Sequence, residues 1–232
     1  MDTFDNRSGK RILTGMVRVI QENKEYLGEV DGLIGDGDHG MNMNKGFTLF
    51  QERYREQDYS FTEGLEYLGG VLFNEIGGSM GPIYGTLLSA MADAAGEADT
   101  GKNSIFDAGS GECRIDLECF SRMLSKGMEE LFDIIDARTG DKTLVDTLYP
   151  AVESLRSSVK GNLSFREALG LMKKAAELGR DSTVEMIARY GRSSRLGERS
   201  RGVPDAGAVS CCLLLSAMAD GIVELLDSGG IT

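Results

Sequence analysis

The sequence predicts an all-α fold in which eight helices joined by Gly-rich loops form a bundle or barrel. Three observations predict it. Only three prolines interrupt 232 residues. Period-two alternation of β-branched residues is scarce, and apolar residues recur instead at the three- and four-residue intervals of a helical face. The chain is long enough for a full core, and residues 1–232 read as one domain without repeat or linker.

The first helix is expected over residues 8–27, with Ile12, Met16, Val19, Ile20 and Tyr26 on or near its apolar face. A second carries Met43, Phe47 and Phe50. Ser60-Phe61-Thr62-Glu63 has the form of a capping box and opens a third, with Leu65, Leu68, Val71 and Leu72 inward. Pro82 suits the first turn of a fourth that runs to about Ala95. Residues 96–112, rich in Gly, Asp, Ser and Asn, read as an exposed loop. The fifth and sixth helices are expected over 115–137 and 144–159. Ser164-Phe165-Arg166-Glu167, a second capping box, opens a seventh reaching about Tyr190. The eighth, over 207–226, is the most hydrophobic, and its Ala, Ser and Cys content suits a central position.

Composition excludes several classes of function. A formal net charge of -12 argues against nucleic acid and against an anionic membrane surface, because both select basic proteins. A phosphorylated ligand would then need a divalent cation between it and the protein. Cys113, Cys119, Cys211 and Cys212 show neither metal-ligand nor redox spacing, and the adjacent pair reads as buried small hydrophobes. The N-terminus has no signal pattern and no run of 18 apolar residues occurs, so a reduced, cytoplasmic protein is expected.

The chemistry-bearing residues fall in the loops. Residues 31–42 hold Asp31, Asp36, Asp38 and the only histidine, His39, among four glycines. Crowded carboxylates repel, so the segment is either a solvated turn or a site for hard cations such as Mg2+. It is not an EF-hand, since the alternating carboxylates and terminal Glu are missing. Gly77-Gly78-Ser79-Met80-Gly81-Pro82 is either a flexible turn or a phosphate cradle at a helix N-terminus. In Gly140-Asp141-Lys142-Thr143, Asp or Thr reads first as a helix cap, and Lys142 as electrostatic support or a salt-bridge partner. Residues 191–202 carry four arginines, whose planar fork suits phosphate oxygens; Arg195 and Arg201 read as solvated. Asp205-Ala206-Gly207 either closes over a bound base or caps the last helix.

Taken in order, Asp31-x4-Asp36-Gly-Asp38-His39-Gly40-x-Asn42, Gly-Gly-Ser-Met-Gly-Pro, Gly-Asp-Lys-Thr and Gly-Arg-Ser-Ser-x-Leu-Gly-Glu-Arg-Ser resemble the nucleotide-binding (L) subunit of dihydroxyacetone kinases, over residues 10–225. The resemblance implies an eight-helix antiparallel barrel with an ADP/ATP site at one end. It implies that Asp31, Asp36 and Asp38 bind two Mg2+ ions bridging the phosphates. His39, Gly40, Met41 and Asn42 would border the nucleotide, and Gly78, Ser79 and Met80 would hold phosphate oxygens, with Arg192 also on the nucleotide. Leu144 would pack on the adenine, and Asp205, Ala206 and Gly207 would line base or ribose.

In this family the ketose is held by a separate K subunit through one of its histidines, and the chain's lone His39 belongs to the metal loop, so the sequence looks like half an enzyme. The donor is either ATP or a phosphocarrier protein of the phosphotransferase system that recharges a held ADP. A homodimer is also compatible. A fatty-acid-kinase nucleotide domain and a nucleotide-binding regulatory partner without turnover are the other readings. Departures from the family pattern are Ser79-Met80 for Ala-Ser, Ala206 for Pro, Ile135-Asp136-Ala137 for a Gly-x-Lys-like run, and the longer 96–112 loop.

Overall fold

The computed structural model describes residues 2–96 and 114–228. Among the described residues are nine α-helices: α1 (Lys10–Glu22), α2 (Lys24–Ile34), α3 (His39–Tyr54), α4 (Phe61–Glu75), α5 (Met80–Gly96), α6 (Leu117–Ile134), α7 (Val145–Lys160), α8 (Phe165–Ser182) and α9 (Ala206–Ser228). Two short strands, β1 (Phe4–Asp5) and β2 (Arg114–Ile115), pair antiparallel with Phe4 opposite Ile115. The all-α expectation holds. The expected 96–112 loop lies, apart from residue 96 at the end of α5, outside the described residues.

The extra helix comes from a break in the first one. Asn23 leaves helical geometry at φ -109 and ψ 11, and its side-chain amide donates to the Val19 carbonyl at 2.7 Å. Helix α2 therefore starts afresh at Lys24, runs past residue 27 and carries Asp31 in its last turn. Tyr26, expected on the apolar face, is exposed instead.

Contacts close into a cycle: α1 meets α3, each helix from α3 to α8 meets its successor, and α9 returns to α1. Helix α2 packs beside α3 and α9. Both capping boxes form, Ser60 with Glu63 and Ser164 with Glu167, satisfying N–H groups that a helix start leaves unpaired. The inward stripes are buried as expected, from Ile12, Met16 and Ile20 to Phe47, Phe50, Leu65 and Leu68, and Met218 and Ile222 of α9 are buried with them. Among the described helices α9 alone is long and apolar enough to cross a membrane, with a mean hydropathy of 1.9. It packs instead against α1, α2, α7 and α8, with Cys211 and Cys212 buried.

Two other helices have boundaries that differ from expectation. Helix α6 begins at Leu117 because Asp116 caps it by accepting from the Cys119 amide at 2.8 Å, and it ends at Ile134 as Ile135 turns extended. Helix α8 stops at Ser182, eight residues before the expected Tyr190. Thr183, fully buried, is tied down there: its hydroxyl accepts from the Asp205 amide at 3.0 Å and its carbonyl accepts from Lys142 Nζ at 2.5 Å.

Candidate functional site

Helices α3, α5, α7 and α9 begin around a single cavity of about 490 Å³, and α2, α4 and α6 end beside it. That volume is ordinary for a small-molecule site. Each helix N-terminus presents unpaired N–H groups and the positive end of its dipole, so four of them around one space favour an anion. Asp38, at the N-cap position of α3, makes no side-chain capping bond, which leaves its carboxylate for the cavity.

The acidic segment brings its three carboxylates together rather than splaying them apart. Carboxylate oxygens of Asp31, Asp36 and Asp38 lie within 4.8 Å of one another. Gly35 allows a close approach, since a Cβ there would lie 2.9 Å from the Asp31 backbone carbonyl oxygen and run into its carboxylate. Gly37 takes a positive φ of 77, which brings Asp36 and Asp38 round to the same side. The donors are all oxygen, three anionic carboxylates in one place, which is the chemistry a hard divalent cation selects. In this structure Arg192 supplies the counter-charge, pairing with Asp36 and, at 3.1 Å, with Asp38.

The cavity gathers most of the residues singled out from the sequence. Asp31, Asp36, Asp38, His39 and Asn42 line it from the acidic segment. Gly78, Ser79 and Met80 line it from the α4–α5 turn, and Leu144 from the start of α7. Arg192 and the run Asp205, Ala206 and Gly207 complete it. Two residues fall outside its lining. Gly40 faces α2, where a Cβ would run into the Lys24 carbonyl oxygen and lie 2.8 Å from the Gly28 nitrogen; it is a packing glycine. Met41 points to solvent at 62% exposure, because it follows Gly40 round the helix.

In the Gly140–Thr143 loop the capping role expected of Asp or Thr falls to Thr143, whose hydroxyl accepts from the amide of Val145, the first residue of α7, at 3.2 Å. Leu144 holds the N-cap position of α7 without a side-chain bond. Asp146, inside the first turn, folds back to accept from the Gly140 and Thr143 amides at 2.5 and 2.8 Å. Asp141 pairs with Arg189 at 3.1 Å. Lys142 is buried at a positive φ of 61, and its Nζ donates to the carbonyls of Thr183 and Val203, both at 2.5 Å, rather than making a salt bridge. It latches the α7 loop to the segment between α8 and α9. Arg195 is exposed, while Arg201 pairs with Glu198 and donates to the Glu185 carbonyl.

Two titratable groups on the wall are displaced. Burial lowers the His39 pKa to about 4, with Asp31 partly opposing. Burial raises the Asp205 carboxyl to about 6, against the Ala208 amide it accepts from at 2.8 Å and the nearby Lys142. Asp205 thus caps α9 while also lining the cavity.

Tyr84 and Ser210 were missed from the sequence. Tyr84 lines the cavity, and Ser210 bonds both Tyr84 and His39. Helical spacing carries a signal for each, because Tyr84 stands four residues after Met80 and Ser210 four after Ala206.

A match to the DAK2 domain runs over residues 33–220, which holds every residue of the site except Asp31. The chain belongs to the DAK2 domain family. Among its DAK2 relatives, the PEP-dependent dihydroxyacetone kinase ADP-binding subunit of Escherichia coli is 35% identical over 89% of this chain and 92% of that one. The ADP-binding subunit of PEP-dependent dihydroxyacetone kinase 1 from Listeria innocua is 30% identical over 93% and 96%. A solved dihydroxyacetone kinase of C. freundii, in complex with AMP-PNP and Mg2+, shares the fold at a TM-score of 0.61 and 19% identity, over 92% of this chain and 33% of that one.

Proposed function

We propose that this DAK2 chain is the Mg-nucleotide-binding, phosphoryl-donating subunit of a dihydroxyacetone-type ketose kinase, passing phosphate to a ketose held by a separate K subunit. The observation that carries the reading is the convergence of three carboxylates and four helix N-termini on one cavity. Carboxylates alone would repel a nucleotide, and helix N-termini alone would not retain a cation. A metal–polyphosphate ligand satisfies both.

Phosphoryl transfer asks a protein for positioning and charge neutralisation more than for covalent chemistry. Asp31, Asp36 and Asp38 would hold two Mg2+ ions, which when bound neutralise the phosphates and keep them in line for transfer. Gly78, Ser79 and Met80 present the N-terminus of α5 to phosphate oxygens. Arg192 gives up its two carboxylates and turns its guanidinium to the same oxygens. Leu144 packs on the base, with Ala206 and Gly207 along base or ribose. The K subunit enters the proposal because this chain's only histidine is buried and bonded to Ser210, which leaves none to carry a ketose. The names of the E. coli and Listeria relatives, ADP-binding subunits of PEP-dependent kinases, support a held ADP recharged by a phosphocarrier.

The test is to denature the purified protein and identify released nucleotide by chromatography, with Asp36→Asn prepared alongside. Stoichiometric ADP from the wild type and none from the variant is expected. A protein that releases no nucleotide and binds neither Mg-ADP nor Mg-ATP on titration overturns the reading. Adding a K subunit, dihydroxyacetone and a donor should yield phosphorylated ketose only when both chains are present. Tight nucleotide binding with no such product would make the chain a regulatory partner instead.

A further inference from the structure

Two segments far apart in sequence make one wall of the cavity: Lys142, Thr143 and Leu144 ahead of α7, and Asp205, Ala206 and Gly207 at the start of α9. They lie against each other. A Cβ added at Gly207 would stand 3.5 Å from the Leu144 nitrogen and 3.7 Å from Leu144 Cβ, which is van der Waals contact. Between α8 and α9, residues 183–205 form only two 3-10 helices, Thr183–Glu185 and Arg192–Ser200. No continuous helical ladder carries the chain to Asp205, so bonds between segments set where it arrives.

Lys142 is at the centre of those bonds. It is buried, and its Nζ donates to the carbonyls of Thr183 and Val203, at 2.5 Å each. Thr183 carries the tie onward, because its hydroxyl accepts from the Asp205 amide at 3.0 Å. Val203 stands two residues ahead of Asp205, and Lys142 two ahead of Leu144, so both halves of the wall are pinned close to the residues that face the cavity. Thr147, whose hydroxyl donates to the Ala208 carbonyl at 3.0 Å, holds the chain from Ala208 onward and leaves residues 203–205 to the lysine. Two local costs attach to Lys142. Its φ of 61 lies in the left-handed region that disfavours a residue with a Cβ, and its ammonium leaves water for two neutral carbonyls. Such costs gather where the surroundings demand one geometry. A lysine head meets the demand here, since it offers three donors at one point to converging acceptors.

We propose that Lys142 is a positioning residue for the nucleoside: it keeps the Leu144 loop and the Asp205–Gly207 turn in register as one wall, so that the cavity grips base and ribose as well as phosphate. The ligand rests on the nucleotide reading above; the latch rests on the bonds just described. The phosphate side stands apart from it. Gly78, Ser79 and Met80 come from the α4–α5 turn, and the three aspartates from residues 31–38. Arg192 lies in the latched segment but has ties that bypass Lys142, with the Arg189 amide donating to the Asp141 carbonyl at 3.1 Å and the Ala188 amide to Ser200 Oγ at 2.9 Å. Loss of the latch should therefore weaken a nucleotide and spare pyrophosphate.

Calorimetry of Lys142→Met with two probes, Mg-ADP and Mg-pyrophosphate, tests this. A wall in place in only about a tenth of the molecules weakens Mg-ADP about tenfold, while Mg-pyrophosphate should stay within about twofold of the wild type. Without ligand, the Asp205 amide should exchange with solvent faster in the variant, read residue by residue by NMR. Thr183→Val removes the hydroxyl that accepts from that amide and keeps the carbonyl that Lys142 holds, so it should show the same split and decides the matter if Lys142→Met does not fold. Equal losses for both probes would make the latch a support of the whole cavity and overturn the proposal, as would an unchanged Mg-ADP affinity. A wild type that binds neither probe overturns the nucleotide reading, whereas one that binds Mg-pyrophosphate as tightly as Mg-ADP overturns only the role of the wall. Asp205 exchange, read without ligand, decides the latch separately.

Discussion

The two ends of the helical ring are built from opposite materials. At the cavity end, four helices begin among glycines and three aspartates stand within 4.8 Å of one another. At the far end the packing is aromatic. Phe4 meets Phe61 edge-on at 5.7 Å, Phe120 meets Phe165 at 5.9 Å, and Tyr54 stacks on Tyr67 at 4.5 Å. Both capping boxes and the β1–β2 pair belong to this end. The contrast teaches a division of labour. Burial and caps hold the fold where no ligand enters, so the cavity end can keep like charges close together for a ligand to neutralise.

The comparison breaks most visibly at the aromatic end. Phe61 has no exposed surface, and Phe61→Ala should cost about 3–5 kcal/mol of stability by denaturant titration, the usual range for a buried phenylalanine. The folded fraction should still bind Mg-ADP with wild-type affinity; a proportional loss of affinity would show that the two ends are not separable. Asp36→Asn should do the reverse, weakening Mg-ADP by about 100-fold or more in calorimetry, since even outer partners of metal ligands cost about 10–100-fold. Its thermal midpoint without ligand should change little, because relief of repulsion from Asp31 and Asp38 offsets the loss of the half-exposed ion pair with Arg192.

Lys142→Met tests how the cavity end itself is held. It strands the buried Thr183 carbonyl and the part-buried Val203 carbonyl, and should cost about 1–3 kcal/mol. Limited proteolysis should then cut residues 183–205 sooner than in the wild type. Ser164→Ala removes one capping box, and about 1 kcal/mol of stability with it, leaving nucleotide affinity unchanged.

The smallest expected effect is a cancellation in pH. The His39 pKa is depressed to about 4, so between its ordinary value of 6.5 and 4 the unfolded chain takes a proton that the folded one refuses, and stability falls as pH falls. Asp205, raised from 3.8 to about 6, is protonated in the folded chain across most of that window and ionised in the unfolded one, so its contribution grows as pH falls. The wild type without nucleotide should be nearly flat between pH 6.5 and 4 as regards these two groups. Denaturant midpoints of Asp205→Asn should fall with falling pH more steeply than the wild type's. An identical pH slope in the two proteins would contradict the assignment.

Much of this architecture was legible without coordinates, for local reasons. Helices α3, α4, α7 and α9 announce themselves by apolar spacing, and Ser60 and Ser164 by the Glu three residues on, because caps and stripes are short-range chemistry. The acidic segment was legible because charge crowding is visible in one dimension. The break at Asn23 was not, since its stabilising bond to Val19 competes with an otherwise helical pattern. The stop of α8 at Ser182 was not, since Thr183 is anchored by Lys142 and by the Asp205 amide, both distant in sequence.

Sequence alone therefore determined the all-α class, most helix starts and most of the residues that line the cavity, because each is marked by neighbours within a turn or two. Tertiary structure alone decided which of those residues share a wall. It turned Gly40 into a packing contact under Lys24 and set Arg192 across Asp36 and Asp38. It also drew Tyr84 and Ser210, 126 residues apart, onto His39. Those are outcomes of helices closing on one another, and the geometry of closure is written in packing between distant segments rather than in any local pattern.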